Sequence, residues 1–277
     1  MKTKTIYWQA LTPIHSGTGQ TSASVIDLPI ARETATNYPI IPASSIKGVL
    51  RDGRDDENAR KIYGFTGKDK NQNAIGKAAD LTFTDARVLC FPVRSYKGTF
   101  ALLTCPLVLH RLTRDAKILE LETFEVNVKV DDQEALTTSD TLEFNKQLIL
   151  EDIDLTAKRD DTATRIANAI AETLFLSDEE RGVFTERFAI VSNNVFTFFV
   201  ETATEVSARI KLNPDTKTVD AERGALWYEE AIPAETIFSS FATSKNGDFS
   251  EITKQQHLQI GGKASVGRGL LRIVVKP

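Results

Sequence analysis

Hydrophobic residues cluster from Lys4 to Leu11, with Ile6, Tyr7 and Trp8 in succession, and the run reads as a β-strand near the start of the chain. A loop rich in Gly, Ser and Thr follows, from Thr12 to Ser24. Pro42-Ala-Ser-Ser then opens a helix, with Ile46, Val49 and Leu50 at helical spacing and a serine placed to cap the first turn. Leu81 to Thr84 and Thr99 to Leu103 read as two strands paired with each other. Pro106 ends the second, and Val108 to Leu119 reads as a helix. Thr123 to Val130 and Lys146 to Leu150 are further predicted strands. Ala163, Ile166, Ile170 and Leu174 mark the apolar face of a helix, and Ser177 with Glu180 forms the capping box of the next.

From Phe188 onward the β signals return. Val206 to Leu212 and Thr216 to Val219 read as a hairpin around Asn213-Pro214-Asp215, followed by strands at Gly224 to Ile232 and Glu235 to Phe241. A helix from Phe249 to Leu258 and an alternating strand from Leu271 to Val275 complete the pattern. No internal repeat is present. Strands at both ends with helices packed on one face define an α+β class, which fits two ferredoxin-like halves or one such core with insertions.

The chain has 277 residues, 41% of them hydrophobic, enough for one large core or two small ones. No run reaches the apolar length of a membrane span, and Met-Lys-Thr-Lys-Thr leads into a strand rather than a signal core, so a cytoplasmic protein is expected. Cys90 and Cys105 have no CxxC spacing, which supports neither a zinc site nor a disulfide framework.

The net charge of −4 is unevenly spread. Residues 1–26 hold two lysines and no acid, and residues 252–277 hold five Lys or Arg and no acid. Asp131 to Asp161 is the opposite extreme, with ten acids against three bases. Joined in space, the two termini would make a cationic or neutral face on an acidic body, and local sign decides where a polyanion docks.

Chemistry concentrates in a few segments. Ile260 to Leu270 carries four glycines (Gly261, Gly262, Gly267, Gly269), two cations (Lys263, Arg268) and no acid. Glycines open the backbone to a ligand, and bare N–H groups beside cations suit phosphate. A mononucleotide loop would follow a strand and open a helix. The predicted order here is the reverse, so a loop that grips a polymer backbone is the better reading.

Asp27, in Ile26-Asp-Leu-Pro-Ile-Ala-Arg-Glu33, is the first acid of the chain. It could bind a divalent metal or take a proton from a 2′-hydroxyl, although from spacing alone an Asx turn is the commoner use. Lys47 and Arg51 lie one turn apart on a helix whose start could hold phosphate, or on an ordinary capped surface helix. His15 could serve as general base or stacking ring, and a hydrogen-bonded structural histidine is an equal alternative. In Gly224 to Pro233, the pairs Trp227-Tyr228 and Glu229-Glu230 each split between opposite faces of a strand.

Together, the histidine loop, the Ile-Asp-Leu-Pro-Ile-x-Arg-Glu segment, the Pro-x-Ser-Ser-Ile-Lys-Gly-x-Leu-Arg helix start, the Leu-Trp-Tyr-Glu-Glu-x-x-Pro strand and the terminal glycine loop resemble the RAMP superfamily. Within it they resemble the repeated backbone subunits of type III-B CRISPR (Cmr) effector complexes. The resemblance covers both ends and Val206 to Pro233, and it fades in the acidic middle.

It implies a single RAMP domain over residues 1–277, with an RRM-like ferredoxin core, an acidic insertion near residues 120–160 and a thumb hairpin near residues 206–220. It also implies copies of the chain stacked in a helical filament on guide CRISPR RNA, alongside other Cmr subunits, cutting complementary target RNA. On this resemblance Asp27 is the cleavage residue and ligand of a divalent metal, magnesium or manganese. His15, Tyr228 and Glu229 are supporting catalytic candidates. Lys47, Arg51, Gly261, Gly262, Lys263, Gly267, Arg268 and Gly269 become RNA contacts. Two alternatives are a scaffold in which Asp27 is idle and a guide-processing nuclease using His15. A small-molecule enzyme comes last, since no dinucleotide, triad or zinc spacing is present.

Overall fold

The computed structural model describes residues 1–19, 25–68, 74–211 and 226–276. Its centre is a mixed sheet of twelve strands. Lys2–Ala10 is flanked on one side by Leu270–Val275 and on the other by Ile237–Ser244, both antiparallel, so the two acid-free ends of the chain are joined. Burial explains why this strand holds its place. Ile6, Trp8 and Ala10 are all fully buried, Trp8 stands opposite Phe238 and Ile273, and its Nε1 donates to Ser240 Oγ at 2.9 Å. An indole N–H in a core needs such a partner.

Beyond Ile237–Ser244 the sheet continues through Ala86–Arg94, Phe100–Thr104, Phe188–Val191, Glu134–Thr137, Ile153–Arg159 and Gln147–Leu150. Phe188–Val191 runs parallel to Phe100–Thr104, and Ile153–Arg159 parallel to Glu134–Thr137. The outermost strand returns against residues 94–96: Tyr96 N donates to Ile149 O at 3.0 Å and Glu151 N to Arg94 O at 3.2 Å. This half of the sheet therefore curls on itself and leaves little free edge.

The helices form where caps and apolar stripes coincide. Asp161–Leu174 starts at Asp160, whose Oδ1 accepts from Ala163 N at 2.7 Å, and buries Ala163, Ile166, Ile170 and Leu174. Asp178–Arg187 starts at Ser177, whose Oγ accepts from Glu180 N at 3.2 Å. Pro106–Ile118 begins on its proline and buries Val108, Leu109 and Leu112. No described helix is long and apolar enough to cross a membrane. Cys90 and Cys105 are buried and free; burial pushes the Cys105 thiol up to about 11 and raises Cys90 as well.

Several expectations change. Ala43–Arg51 has Pro42 at its cap position with no side-chain cap; instead Asp85 Oδ1 accepts from Ala43 N at 2.8 Å. Thr123 to Val130 is not a strand, although Phe124, Val126, Val128 and Val130 turn toward the core in alternation. An extended segment lying on a core produces the same period as a paired one. Leu81–Phe83 pairs with Ile237–Ser244 rather than with Phe100–Thr104, whose partner is the unpredicted strand Ala86–Arg94. Asn193–Thr202 is a helix within a stretch that reads as β, capped by Ser192 Oγ accepting from Val195 N at 3.2 Å. The helix expected over Phe249 to Leu258 shortens to Ser250–Thr253, and His257–Gln259 is a strand. Glu205–Ile210 pairs with Leu226–Ala231. The turn Asn213-Pro214-Asp215 and the strand Thr216 to Val219 lie outside the described residues.

Candidate nucleic-acid interface

The strand Leu226–Ala231 organises the site. One edge pairs with Glu205–Ile210, and the chain around Asp27 and His15 folds onto the other. Tyr228 N donates to Asp27 Oδ2 at 2.8 Å. Leu28 N donates to Tyr228 O at 3.1 Å, and Glu230 N to Leu28 O at 3.0 Å. Two residues past Tyr228, His15 Nδ1 donates to Glu230 O at 2.7 Å, and Ile14 and Ile232 exchange both backbone bonds. A strand rises roughly 3.3 Å per residue, so the anchors of Asp27 and His15 are roughly 6.6 Å apart on one edge. Nothing in the local sequence indicates that these two loops share a strand.

Asp27 is half-buried, with one oxygen held by an amide, and the loop around it is fixed by backbone bonds rather than by its carboxylate alone. His15 is buried against glycines: a Cβ on Gly17 would lie 2.8 Å from its Nε2, and one on Gly262 would lie 3.2 Å from its Cδ2. Gly261, at φ +89, would bring a Cβ within 2.4 Å of His15 O, so close approach to this loop requires glycine there.

That packing changes the picture of the terminal loop. Its sequence suggests bare amides, yet Gly262 N donates to His15 O at 2.9 Å, Gly267 N to Ala264 O at 3.0 Å and Gly269 N to Pro13 O at 2.9 Å. Val266 N and Arg268 N both donate to Lys263 O, at 3.1 and 3.3 Å. Lys263 Nζ lies 2.8 Å from Glu229 Oε1. Arg268 is buried, with Nη2 donating to Ser207 Oγ at 3.5 Å and Nη1 4.0 Å from Glu205. The face exposed to a ligand is the backbone and side chains of Gly261 to Gly267.

The two glutamates have different tasks. Glu229 accepts from Trp227 Nε1 at 2.7 Å and from Arg209 Nε at 3.3 Å as well as from Lys263. Its burial would raise its pKa, but Lys263, Trp227 and Arg209 hold it down to about 2. Glu230 is buried and accepts from Arg32 Nη2 at 2.6 Å, Thr204 Oγ1 at 2.9 Å and Ile30 N at 3.0 Å. Arg32 also donates to Asn37 O and Val200 O. Sequence reasoning misses Arg32 because its partner Glu230 is 198 residues away; the only signal is its presence in the Asp27 motif. Tyr228 keeps a partly exposed side chain, and its backbone amide holds Asp27.

Lys47 and Arg51 stand apart on Ala43–Arg51; Arg51 lies 3.5 Å from Asp55, and among the described residues neither cation is bonded to the Asp27 cluster. No group of three or more His, Cys, Asp or Glu able to hold a metal exists among the described residues. Glu229 and Glu230 each accept from three donors, which leaves Asp27, held by the Tyr228 amide, as the least engaged carboxylate among the described residues of this cluster. A hard divalent cation takes about six oxygen ligands, so these residues do not by themselves fit a resident metal.

Glu33, at the end of the Asp27 segment, accepts from Arg111 Nη1 at 2.7 Å and Thr36 Oγ1 at 2.6 Å. The Arg111 hydrogen bond outweighs burial and lowers its pKa from 4.5 to about 2. A depressed folded pKa stabilises above the unfolded value and loses that contribution as pH falls toward the folded one. Wild type should therefore lose stability between pH 4.5 and about 2, and Glu33→Gln should flatten that part of the curve. Urea midpoints followed through this window check it; equal slopes for both proteins would remove the Glu33 pair from the acid response.

The chain is 35% identical over 292 residues to the CRISPR system Cmr endoribonuclease Cmr4 of Pyrococcus furiosus, covering 100% of this chain and 96% of that protein. It is 25% identical to the CRISPR system CMR subunit Cmr4 of Saccharolobus solfataricus, covering 98% and 95%. A crystal structure of oligomeric Cmr4 from Pyrococcus furiosus superposes with a TM-score of 0.74 at 28% identity, covering 100% of this chain and 98% of that one. The RAMP superfamily model matches residues 9–272, and the chain belongs to the RAMP superfamily.

Proposed function

We propose that this chain is a repeated backbone subunit of a type III-B Cmr effector complex that holds guide RNA and cuts complementary target RNA with Asp27. The supporting observation is full-length similarity to a protein named as the Cmr endoribonuclease, combined with an Asp27 loop fixed by Tyr228 against the strand that also carries the glycine loop's anchor. Copies of the chain and other Cmr subunits are its partners, as the oligomeric Cmr4 structure suggests.

The strand order Leu270–Val275, Lys2–Ala10, Ile237–Ser244, Ala86–Arg94 supports a ferredoxin-like core, since it is the fourth, first, third and second strand of such a unit. On this reading one RAMP domain carries the acidic segment near residues 120–160 as an insertion, and residues near 206–220 as a thumb.

Asp27 takes the proton of the attacking 2′-hydroxyl as O2′ bonds to phosphorus and the P–O5′ bond breaks; the departing 5′-oxygen takes a proton from water, and a 2′,3′-cyclic phosphate is left on the other fragment. A divalent metal would need ligands from the RNA itself, and no step here depends on one. His15 orients the loop: its Nδ1 bond to Glu230 O and its burial favour a structural role over general base. The amide bond to Asp27 Oδ2 equally favours a scaffold reading, in which the carboxylate only shapes the loop. Purification of the tagged chain from its source cell tests the class. The expected result is a complex of several partner proteins with bound RNA; a chain recovered alone and free of RNA would overturn the assignment.

A further inference from the structure

Three consecutive residues of Leu226–Ala231 each hold a different segment. Tyr228 holds Asp27 through its amide, Glu230 holds His15 through its carbonyl, and Glu229 between them holds the glycine loop through Lys263. We infer that Glu229 is a positioning residue that fixes the glycine loop in register with the Asp27 loop, and that Lys263 serves this bond rather than an RNA phosphate. The inference rests on the proposed RNA-guided cleavage and names the residue that couples the holding loop to the cutting loop.

Five observations carry it. Glu229 is 2% exposed, and a buried carboxylate must keep its partners or be expelled. Its two oxygens accept from Lys263, Trp227 and Arg209, partners that hold it in place within the fold. Lys263 adopts φ +66, a left-handed backbone that non-glycine residues hold only when their surroundings impose it. Its Nζ also lies 5.9 Å over the Trp227 ring. Finally, the Lys263 carbonyl accepts both Val266 N and Arg268 N, so fixing Lys263 fixes the turn that faces the ligand. A phosphate that captured the ammonium would release the turn from Glu229.

The test compares Glu229→Gln, Lys263→Met and Lys263→Arg, in the full RNA-free chain and in the assembled complex. In the free chain, amides of Val266, Gly267 and Arg268 should exchange about tenfold faster in Glu229→Gln and Lys263→Met, and at the wild-type rate in Lys263→Arg. In the complex, Lys263→Met should leave the salt dependence of guide binding unchanged, while both loosened variants cut more slowly at saturating target and at neighbouring bonds as well as the wild-type one. Unchanged exchange in Glu229→Gln would overturn the positioning role. A salt slope reduced by about 0.7 in Lys263→Met would make Lys263 a phosphate contact and overturn the second half. A wild-type complex that binds no guide RNA would instead remove the proposed function, a result separate from the exchange measured without RNA.

Discussion

Asp27→Ala should abolish target-RNA cleavage in the assembled complex, by about 10² to 10⁴ in rate, while guide and target affinity stay equal or rise slightly. On the proposed function the carboxylate stands on a face that holds a polyanion, so removing it relieves repulsion in the bound state and withdraws a proton acceptor needed only in the transition state. The loop should survive the change. Leu28 N to Tyr228 O and Glu230 N to Leu28 O are backbone bonds, and the Tyr228 amide freed by the substitution is exposed enough for water to replace Oδ2. Asp27→Asn sharpens the test, because it keeps an acceptor for Tyr228 N and removes only basicity. Single-turnover cleavage by both variants separates chemistry from shape. Loss in Ala with wild-type rate in Asn means that Asp27 shapes the loop, and wild-type rate in both leaves the scaffold reading standing.

Glu230→Ala should be the most damaging substitution for folding, with a loss of about 3 to 5 kcal/mol of stability. Glu230 is 3% exposed and answers three donors: Arg32, Thr204 and the Ile30 amide. Truncation strands the Arg32 guanidinium, whose side chain is only 16% exposed, and leaves an amide of the Asp27 segment without its acceptor. A buried charge deprived of its partner is costlier than the pair is favourable. Glu230→Gln should cost less, since an amide oxygen can still accept from Ile30 N or Arg32. Chemical denaturation of the three proteins gives the ranking. A change under about 1 kcal/mol for Glu230→Ala would mean that Arg32 finds other acceptors, with Asn37 O and Val200 O the nearest at hand. Cleavage should fall with stability in both variants, because the loop bearing Asp27 hangs on this carboxylate.

Periodicity and capping are enough to locate much of the fold. The strand at the N-terminus, the helices at Ala43–Arg51, Pro106–Ile118, Asp161–Leu174 and Asp178–Arg187, and the closing strand Leu270–Val275 all follow from alternation, apolar stripes and Pro or Ser signals, which act over a few residues. The segments that differ are those where local pattern has two tertiary outcomes. The alternation of Phe124, Val126, Val128 and Val130 can be met by lying on a core as well as by pairing, and Asn193–Thr202 is rich enough in Phe and Val to read as strand until its cap and packing decide.

For the site, residue types and motif spacing single out Asp27, His15, Glu229 and the glycine loop, because carboxylate, imidazole and glycine carry their chemistry wherever they stand. Which of them touch was decided by tertiary structure alone. Asp27 and Tyr228 are 201 residues apart, His15 and Glu230 are 215 apart, and Arg32 and Glu230 are 198 apart. No local rule reports pairings over such separations. The same distance hid the fate of the cations. Lys263 and Arg268 look free in sequence because no acid lies between residues 252 and 277, but folding brings Glu229 and Glu205 from other strands against them. Charge along a chain therefore shows where cations concentrate in sequence, and only the packing of remote strands determined which charges remain to meet a ligand.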